Sequence, residues 1–271
     1  MTLFRGYAIL ETMINITSKD NKILRHTKKL TNNASYRDKS GEFIAEGERL
    51  CAEALICNAQ ISYCIVTAEF LIRNPDFQKK LDDLKVTIYT VSENLFNSIS
   101  RTQHPQGVLF VIRIPSVVTS DFAGTNRILI LDGISEPGNM GTIIRTADAF
   151  GFGTVILCNN CVDIYNPKVV RSTMGGIFRT NFICANNISK TMEQLKSAGF
   201  QIAAAVLDGA TDITEIKFSD KLALAIGSEA NGASAELLAG ADSKVKIPMV
   251  KEAESLNAAV AAGIAMFIGR E

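Results

Sequence analysis

Three short stretches in the second half of this 271-residue chain carry polar side chains at points where a strand gives way to a turn. The first, 132–141 (DGISEPGNMG), brings Gly133, Gly138 and Gly141 to the start of a helical segment that holds Asn139 and, six residues on, Arg145. Glycines permit turns and close backbone approach, and a helix N-terminus favours anions, so such a loop can receive a nucleotide. The details of the common nucleotide motifs are missing. The glycine spacing is not G-x-G-x-x-G, no Lys-Ser or Lys-Thr follows, and Gly151 and Gly153 come after the helix instead of opening it. Taken alone, Asn139 also reads as a helix cap and Arg145 as a solvent-facing residue. The second stretch, Gly227-Ser228-Glu229-Ala230-Asn231-Gly232, sets a carboxylate on a glycine-bounded turn after an apolar strand. The third, Ser255-Leu256-Asn257, follows Ile247-Pro248-Met249 and a polar spacer. No histidine lies in this half of the chain, so proton transfer there would fall to a carboxylate or to solvent.

The elements that must position these stretches alternate regularly. Residues 128–131 form a fully apolar strand suited to a parallel sheet covered on both faces. Further strands are expected at 154–158, 181–184, 201–206, 222–226 and 245–247, with helical segments between them, which is a doubly wound α/β pattern. Pro248 ends the last strand because it has no N–H to donate. A final helix is expected with Ser255 as its N-cap and with Leu256, Val260, Ile264 and Phe267 on one inward apolar face. Ala258, Ala259, Ala261, Ala262 and Gly263 cover much of the rest, so another backbone can come close. The first half reads as a smaller α/β domain: a basic helix at 21–30 capped from Ser18 or Asp20, strands at 43–45, 61–67, 85–90 and 107–114, and helices at 48–58 and 92–99. The expected division is an extension at 1–17, a first domain at 18–115, a linker at 116–126 rich in Ser, Thr, Gly and Asp, and a second domain at 127–271.

Composition describes a soluble globular protein, with 47% hydrophobic and 21% charged residues. Basic and acidic side chains balance at 28 each, so net charge makes no case for a nucleic-acid partner. The distribution says more. Lys19, Lys22, Arg25, Lys28, Lys29, Arg37 and Lys39 stand against only Asp20 and Asp38 in 19–39, a local stripe that reads either as a phosphate contact surface or as a solvated helix face. Cys51, Cys57, Cys64, Cys158 and Cys184 lie in apolar runs and are expected to be reduced core residues of a cytoplasmic protein. Cys158 and Cys161 have C-x-x-C spacing, but a zinc site needs two more ligands, and His26 and His104 are far away in sequence; no metal is expected. The final apolar run spans about fifteen residues, short of the roughly twenty that cross a bilayer, so no membrane segment is expected. Residues 1–12 look like an extension or a misassigned start ahead of Met13.

Together the three stretches resemble the ordered motifs of the SpoU/TrmH branch of the SPOUT superfamily, the S-adenosylmethionine-dependent RNA 2′-O-ribose methyltransferases. Pro137, Asn139, Gly141 and Arg145 match its first motif, Gly227-Ser228-Glu229 with Gly232 its second, and Ile247-Pro248-Met249 with Ser255-Leu256-Asn257 its third. The stretch 163–179 is similar to the segment that links the first two, with Thr173 where serine is commoner. Residues 43–47 (FIAEG) followed by Arg49, and 104–108 (HPQGV), resemble a preceding substrate-binding domain similar to ribosomal proteins of the L30 type.

The resemblance implies an α/β fold: a SPOUT-type parallel sheet whose C-terminus is threaded through a deep trefoil knot, preceded by a small L30-like α/β domain, in a homodimer joined through the last helix and the first motif. It implies S-adenosyl-L-methionine held by Gly227, Val206, Ile247, Met249 and Leu256, and a catalytic set of Asn139, Arg145, Glu229, Ser255 and Asn257. RNA contacts are expected at Lys22, Arg25, Lys28, Lys29, Arg37 and Arg49. In the family proposal the first-motif arginine is the base, yet deprotonating a guanidinium near neutral pH costs roughly 7 kcal/mol. A charged Arg145 that grips phosphate, with Glu229 as proton acceptor and Asn139 and Ser255 positioning, suits the chemistry better. The expected substrate is structured RNA, ribosomal in preference to tRNA. A noncatalytic RNA-binding or ribosome-assembly protein and a nucleotide-dependent enzyme of ordinary doubly wound type remain as other readings.

Overall fold

The computed structural model describes residues 13–115, 122, 124–207, 210–250 and 254–270, and the chain divides into two compact units after Ile114. The first unit contains β1 (Met13–Ile16), α1 (Lys22–Asn32), α2 (Ala34–Ser40), β2 (Glu42–Glu46), α3 (Glu48–Ile56), β3 (Ile61–Thr67), α4 (Ala68–Arg73), α5 (Pro75–Asp83), β4 (Ile88–Val91), α6 (Glu93–Ile99) and β5 (Val108–Arg113). Its sheet runs β1-β4-β3-β5-β2, with β1, β4 and β3 parallel and β5 antiparallel to both β3 and β2. Leu24, Leu30, Ile44, Ile65, Phe96 and Val111 form a core cluster of this unit.

Several expectations for this unit are corrected. Residues 13–16, placed in an extension, form the edge strand β1 in register with β4 from Met13↔Ile88 to Ile16↔Val91, while 1–12 lie outside the described residues. Asn21, and not Ser18 or Asp20, caps α1: its Oδ1 accepts the Ile23 N–H at 2.8 Å. A second helix, α2, was not foreseen, because the Asn32-Asn33 pair interrupts the apolar spacing. Asn33 ends α1 and caps α2, accepting the Tyr36 N–H at 3.0 Å.

The second unit contains β6 (Arg127–Asp132), α7 (Pro137–Ala149), β7 (Thr154–Cys158), α8 (Pro167–Ser172), β8 (Asn181–Cys184), α9 (Ile188–Ser197), β9 (Gln201–Ala205), β10 (Thr211–Asp212), β11 (Leu222–Gly227), α10 (Ala235–Gly240), β12 (Ser243–Lys246) and α11 (Ala258–Gly269). Every pairing in its sheet is parallel, in the order β10-β12-β9-β11-β6-β7-β8. The central strands are buried along most of their length, and the alanines of β9 and β11 (Ala203, Ala204, Ala223, Ala225) lower the sheet surface so that helices lie close. Phe122, expected in a linker, is buried and meets the Phe200 ring edge-on at 6.0 Å; residues 116–121 and 123 lie outside the described residues. Of the cysteines expected in the core, Cys184 is exposed at the end of the edge strand β8 and Cys57 is half-buried.

The largest correction concerns α11. Its N-cap is Asn257, and its buried side is the small one: Ala258, Ala259, Ala262, Ala265, Met266 and Gly269. Val260 and Phe267, expected to face inward, are 51% and 52% exposed, and Ile264 is half-buried. The helix is apolar all round, so its spacing could not decide the face. What decides it is proximity: α11 packs against α7 and β11, and a Cβ on Gly269 would lie 2.8 Å from Leu222 Cδ2.

The same logic joins α7 to α8. A Cβ on Gly141 would lie 2.4 Å from Ser172 Cβ and 2.8 Å from the Val169 carbonyl. Gly141→Ala is therefore expected to lose about 1–3 kcal/mol to overpacking in spite of a helix-propensity gain of about 1 kcal/mol. Gly263→Ala, whose methyl meets only Thr146 Cγ2 at 3.8 Å, should leave stability unchanged or raise it. Thermal unfolding of both variants checks the contrast; equal midpoints would show that backbone approach does not limit packing here.

Candidate active site

The sequence motifs of the second unit converge on the carboxyl ends of its parallel strands, where open α/β sheets place their ligands. Asp132 ends β6 and is buried. Its Oδ1 accepts the Asn159 side-chain amide at 2.6 Å and its Oδ2 the Ser234 N–H at 2.7 Å, which ties together the turns after β6, β7 and β11. Gly227 pairs with Asp132 across the sheet. After it the chain doubles back at once, with Ser228 and Gly232 exchanging backbone hydrogen bonds at 3.0 and 2.9 Å. A Cβ on Gly227 would sit 2.1 Å from the returning backbone of Gly232 and Ala233, so only glycine fits. The tight turn leaves Glu229 exposed at its tip.

Glu229 is the end of a one-directional chain of amides. The Asn257 Oδ1 accepts the N–H groups of Ala259 and Val260 at 3.0 and 3.3 Å, which caps α11. Its Nδ2 then points away from the helix and donates to Asn139 Oδ1 at 3.0 Å. The Asn139 Nδ2 in turn donates to Glu229 Oε1. Each amide has one accepting and one donating end, so the orientation of the first sets that of the second. On the other side, Glu136 caps α7 by accepting the Asn139 N–H at 2.6 Å through Oε2, and Lys168 donates to its Oε1 at 2.9 Å. Lys168 first, then the N–H groups of Gly138 and Asn139, pull the Glu136 carboxyl down to about 2.

Three of the five expected catalytic residues, Asn139, Glu229 and Asn257, are thus linked directly. Ser255 is exposed, three residues before α11, and does not cap it. The correction has a simple cause: the helix starts only where Asn257 can accept its first N–H groups. Arg145 is exposed and has no hydrogen bond or ion pair with the described residues. Six positions along α7 place it about 120° around and ~9 Å beyond Asn139, so the two do not share a helix face.

The residues expected at a cofactor, Gly227, Val206, Ile247, Met249 and Leu256, are all partly exposed around the ends of β9, β11 and β12. Val206 still donates its N–H to Val245 at 2.9 Å. Beyond these strands, Leu207 and Val250 also leave apolar side chains open to solvent. Sequence reasoning missed Leu207, Val250, Glu136, Lys168 and the exposed Arg171 of α8. Pro137 at the first helical position was the available signal for a cap at 136.

In the first unit, Lys22, Arg25, Lys28 and Lys29 project outward from α1, and Arg49 is exposed on α3. Arg37 does not belong with them. It is only 4% exposed and donates to the Leu30 carbonyl at 2.5 Å, because α2 folds it back against the end of α1. Among the described residues no cluster of His, Cys, Asp or Glu could hold a metal ion, and no helix is long and apolar enough to cross a membrane.

Asn257→Ala removes both the cap and the link and should destabilise by about 0.5–2 kcal/mol. Asn257→Asp keeps an oxygen toward the α11 N–H groups, so it should unfold near the wild-type midpoint while reversing the Asn139 amide. Denaturant unfolding separates the two; an Ala variant as stable as wild type would remove Asn257 from the cap.

Comparison with known proteins gives the family. The SpoU rRNA Methylase family model matches residues 126–267, and an MRM3-like substrate binding domain matches 21–109. The 23S rRNA (guanosine(2553)-2'-O)-methyltransferase RlmP of Bacillus subtilis is 34% identical over 260 residues, covering 95% of this chain and 97% of that protein. The structure of an AdoMet-bound rRNA methyltransferase from Sinorhizobium meliloti superposes with a TM-score of 0.85 at 30% identity, over 96% of this chain and 98% of that one. That of an RNA 2'-O ribose methyltransferase superposes with a TM-score of 0.78 at 28% identity, over 94% and 97%. With its three motifs set at the ends of one parallel sheet and the match extending over nearly its whole length, the chain belongs to the SpoU rRNA methylase family.

Proposed function

We propose that this protein transfers a methyl group from S-adenosylmethionine to the 2′-hydroxyl of a ribose in ribosomal RNA. The observation that carries the reading is the amide chain from α11 through Asn257 and Asn139 to the exposed Glu229 carboxylate, set at the carboxyl ends of the strands. The half-open apolar side chains of Val206, Ile247, Met249 and Leu256 suit an adenine, and Gly227 lets the backbone come close; these residues would hold the cofactor. When bound, it supplies an electrophilic methyl group. The protein's own part is to remove a proton and to steady an oxygen.

A ribose hydroxyl is a poor nucleophile until its proton leaves. Glu229 takes that proton, and the Asn139 amide holds its Oε1 in place. Arg145 stays charged, grips the adjacent RNA phosphate and stabilises the developing alkoxide. Ser255, exposed beside the cap, positions the ribose. Lys22, Arg25, Lys28, Lys29 and Arg49 supply phosphate contacts from the first unit. The parallel sheet of the second unit is the one in which the expected trefoil knot would lie. The exposed Val260 and Phe267 and the half-buried Ile264 on α11 give a homodimer its apolar face. An enzyme of RNA with this make-up belongs in the cytoplasm.

The deciding experiment is methyl transfer from radiolabelled cofactor to ribosomal RNA, with the product mapped at the 2′-oxygen. Transfer to tRNA alone, or none, would overturn the reading. In single-turnover assays Arg145→Ala should lose about 10²-fold or more in rate, and Arg145→Lys should keep much of the RNA affinity but little of the rate. A near wild-type rate for Arg145→Ala would remove that residue from the mechanism.

Neutralising Lys22, Arg25, Lys28 and Lys29 together should flatten the dependence of log affinity on log salt by about 0.7 to 0.9 for each phosphate that is no longer neutralised, with cofactor affinity unchanged. Superimposable salt titrations of this variant and wild type would make the stripe a solvated face.

A further inference from the structure

Glu136 is an unusual helix cap. Asp, Asn, Ser and Thr cap well because their short side chains reach the first N–H groups without losing much freedom, whereas glutamate has an extra rotatable bond to fix. Two features of the surroundings fix it. Gly138 leaves the space into which the carboxylate folds, since a Cβ there would lie 2.7 Å from Glu136 Oε2. Lys168 then holds the other oxygen at 2.9 Å. Lys168 is itself set on α8, whose start is capped by Asn166 and whose backbone is pressed against α7 at Gly141. The carboxylate therefore links α8 to the N–H of the residue whose side chain addresses Glu229.

The pair also has an electrostatic part. Asn139 is held by two carboxylates at once, Glu136 on its backbone N–H and Glu229 on its side-chain amide. Without a neighbouring cation the two negative charges would repel across that one residue. Lys168 offsets the first of them and leaves Glu229 as the uncompensated one.

Resting on the methyltransferase reading above, we infer that Glu136 and Lys168 are positioning residues for methyl transfer: their ion pair fixes the first turn of α7 so that Asn139 directs its amide at Glu229. Neither residue touches the reacting atoms. Both act through Asn139.

The test is a double-mutant cycle on the full-length protein with Glu136→Gln, Lys168→Met and the pair combined, reading kcat, the Kd for S-adenosylmethionine and the thermal midpoint. Each single change should lower kcat on the order of tenfold, the scale expected when a reacting constellation is displaced by a fraction of an ångström. The double variant should be no worse than either single one, and the cofactor Kd should stay within about twofold. Lys168→Arg should restore most of the rate. Glu136→Asp should not, because its shorter side chain can cap α7 but cannot also reach Lys168. Single variants with wild-type kcat, losses that multiply in the double variant, or a loss of kcat matched by a loss of cofactor affinity would each overturn the inference. A readout without catalysis keeps it separate from the proposed function. In nitrogen-15 NMR spectra of wild type and Lys168→Met, the Asn139 side-chain amide should shift; if it does not, the positioning role fails even where methyl transfer is intact. If wild type transfers no methyl but that amide shifts, the proposed reaction fails and the positional link stands.

Discussion

The side-chain carbonyl of Asn257 must face the first N–H groups of α11, and the direction of the later hydrogen bonds in the site follows from that one constraint. With its oxygen turned to the helix, the Asn257 amide can only donate toward Asn139, and Asn139 can only donate toward Glu229. Every donor in the chain points the same way, from the positive end of α11 to an exposed carboxylate. Such chains polarise cooperatively, so the position and orientation of the Glu229 carboxylate are tied to a helix it never touches.

This arrangement requires helices that sit very close to the sheet and to one another. The residues that allow it are those with the least side chain: the alanines of β9 and β11, the small side of α11, and Gly141 where α7 meets α8. Close approach fixes the ends of the helices, and the ends carry the chemistry. Asn257, Asn139 and Glu136 all lie in the cap or first turn of a helix, where backbone N–H groups have no partner within the helix and side chains must supply one. The two caps, Glu136 and Asn257, hold the helices in place, and with Asn139 they set the direction of the site's polar groups.

Much of this was legible in the sequence, and what was not has identifiable causes. The strands β3, β7 and β8 lie where apolar runs bounded by turn residues put them, and α6 begins at the Ser92 cap as its pattern implies. The three polar stretches and their shared position after strands could also be read, because each follows an apolar segment and contains glycine or proline. The facing of α11 could not, since alanine and phenylalanine are both apolar and only the nearness of Leu222 and Thr146 selects the small side. Arg37 looked like one more member of a basic stripe. Its burial depends on a second helix that turns it back onto a carbonyl at the end of the first, and no spacing within α1 reports that. Glu136 was hidden for a related reason: its partner Lys168 lies 32 positions away, on a helix brought near only by the Gly141 contact.

The isolation of Arg145 completes the electrostatic picture. On a helix, a carboxylate three residues on is a natural partner for an arginine, and Asp148 stands at that spacing. It is already taken: Arg179 reaches Asp148 from outside α7, its Nε donating to Oδ1 at 3.2 Å and its Nη2 to Oδ2 at 2.8 Å, a forked pair that engages both oxygens. Arg145 is thereby left exposed with no partner among the described residues, although an acidic side chain lies within a turn of it. A guanidinium with no carboxylate on it presents its planar fork of donors to solvent. It is suited to an incoming anion and not to the work of a base. On the proposed mechanism the two groups stand in different surroundings: Glu229 at the end of an amide chain that fixes its orientation, and Arg145 exposed, with Asp148 engaged by Arg179.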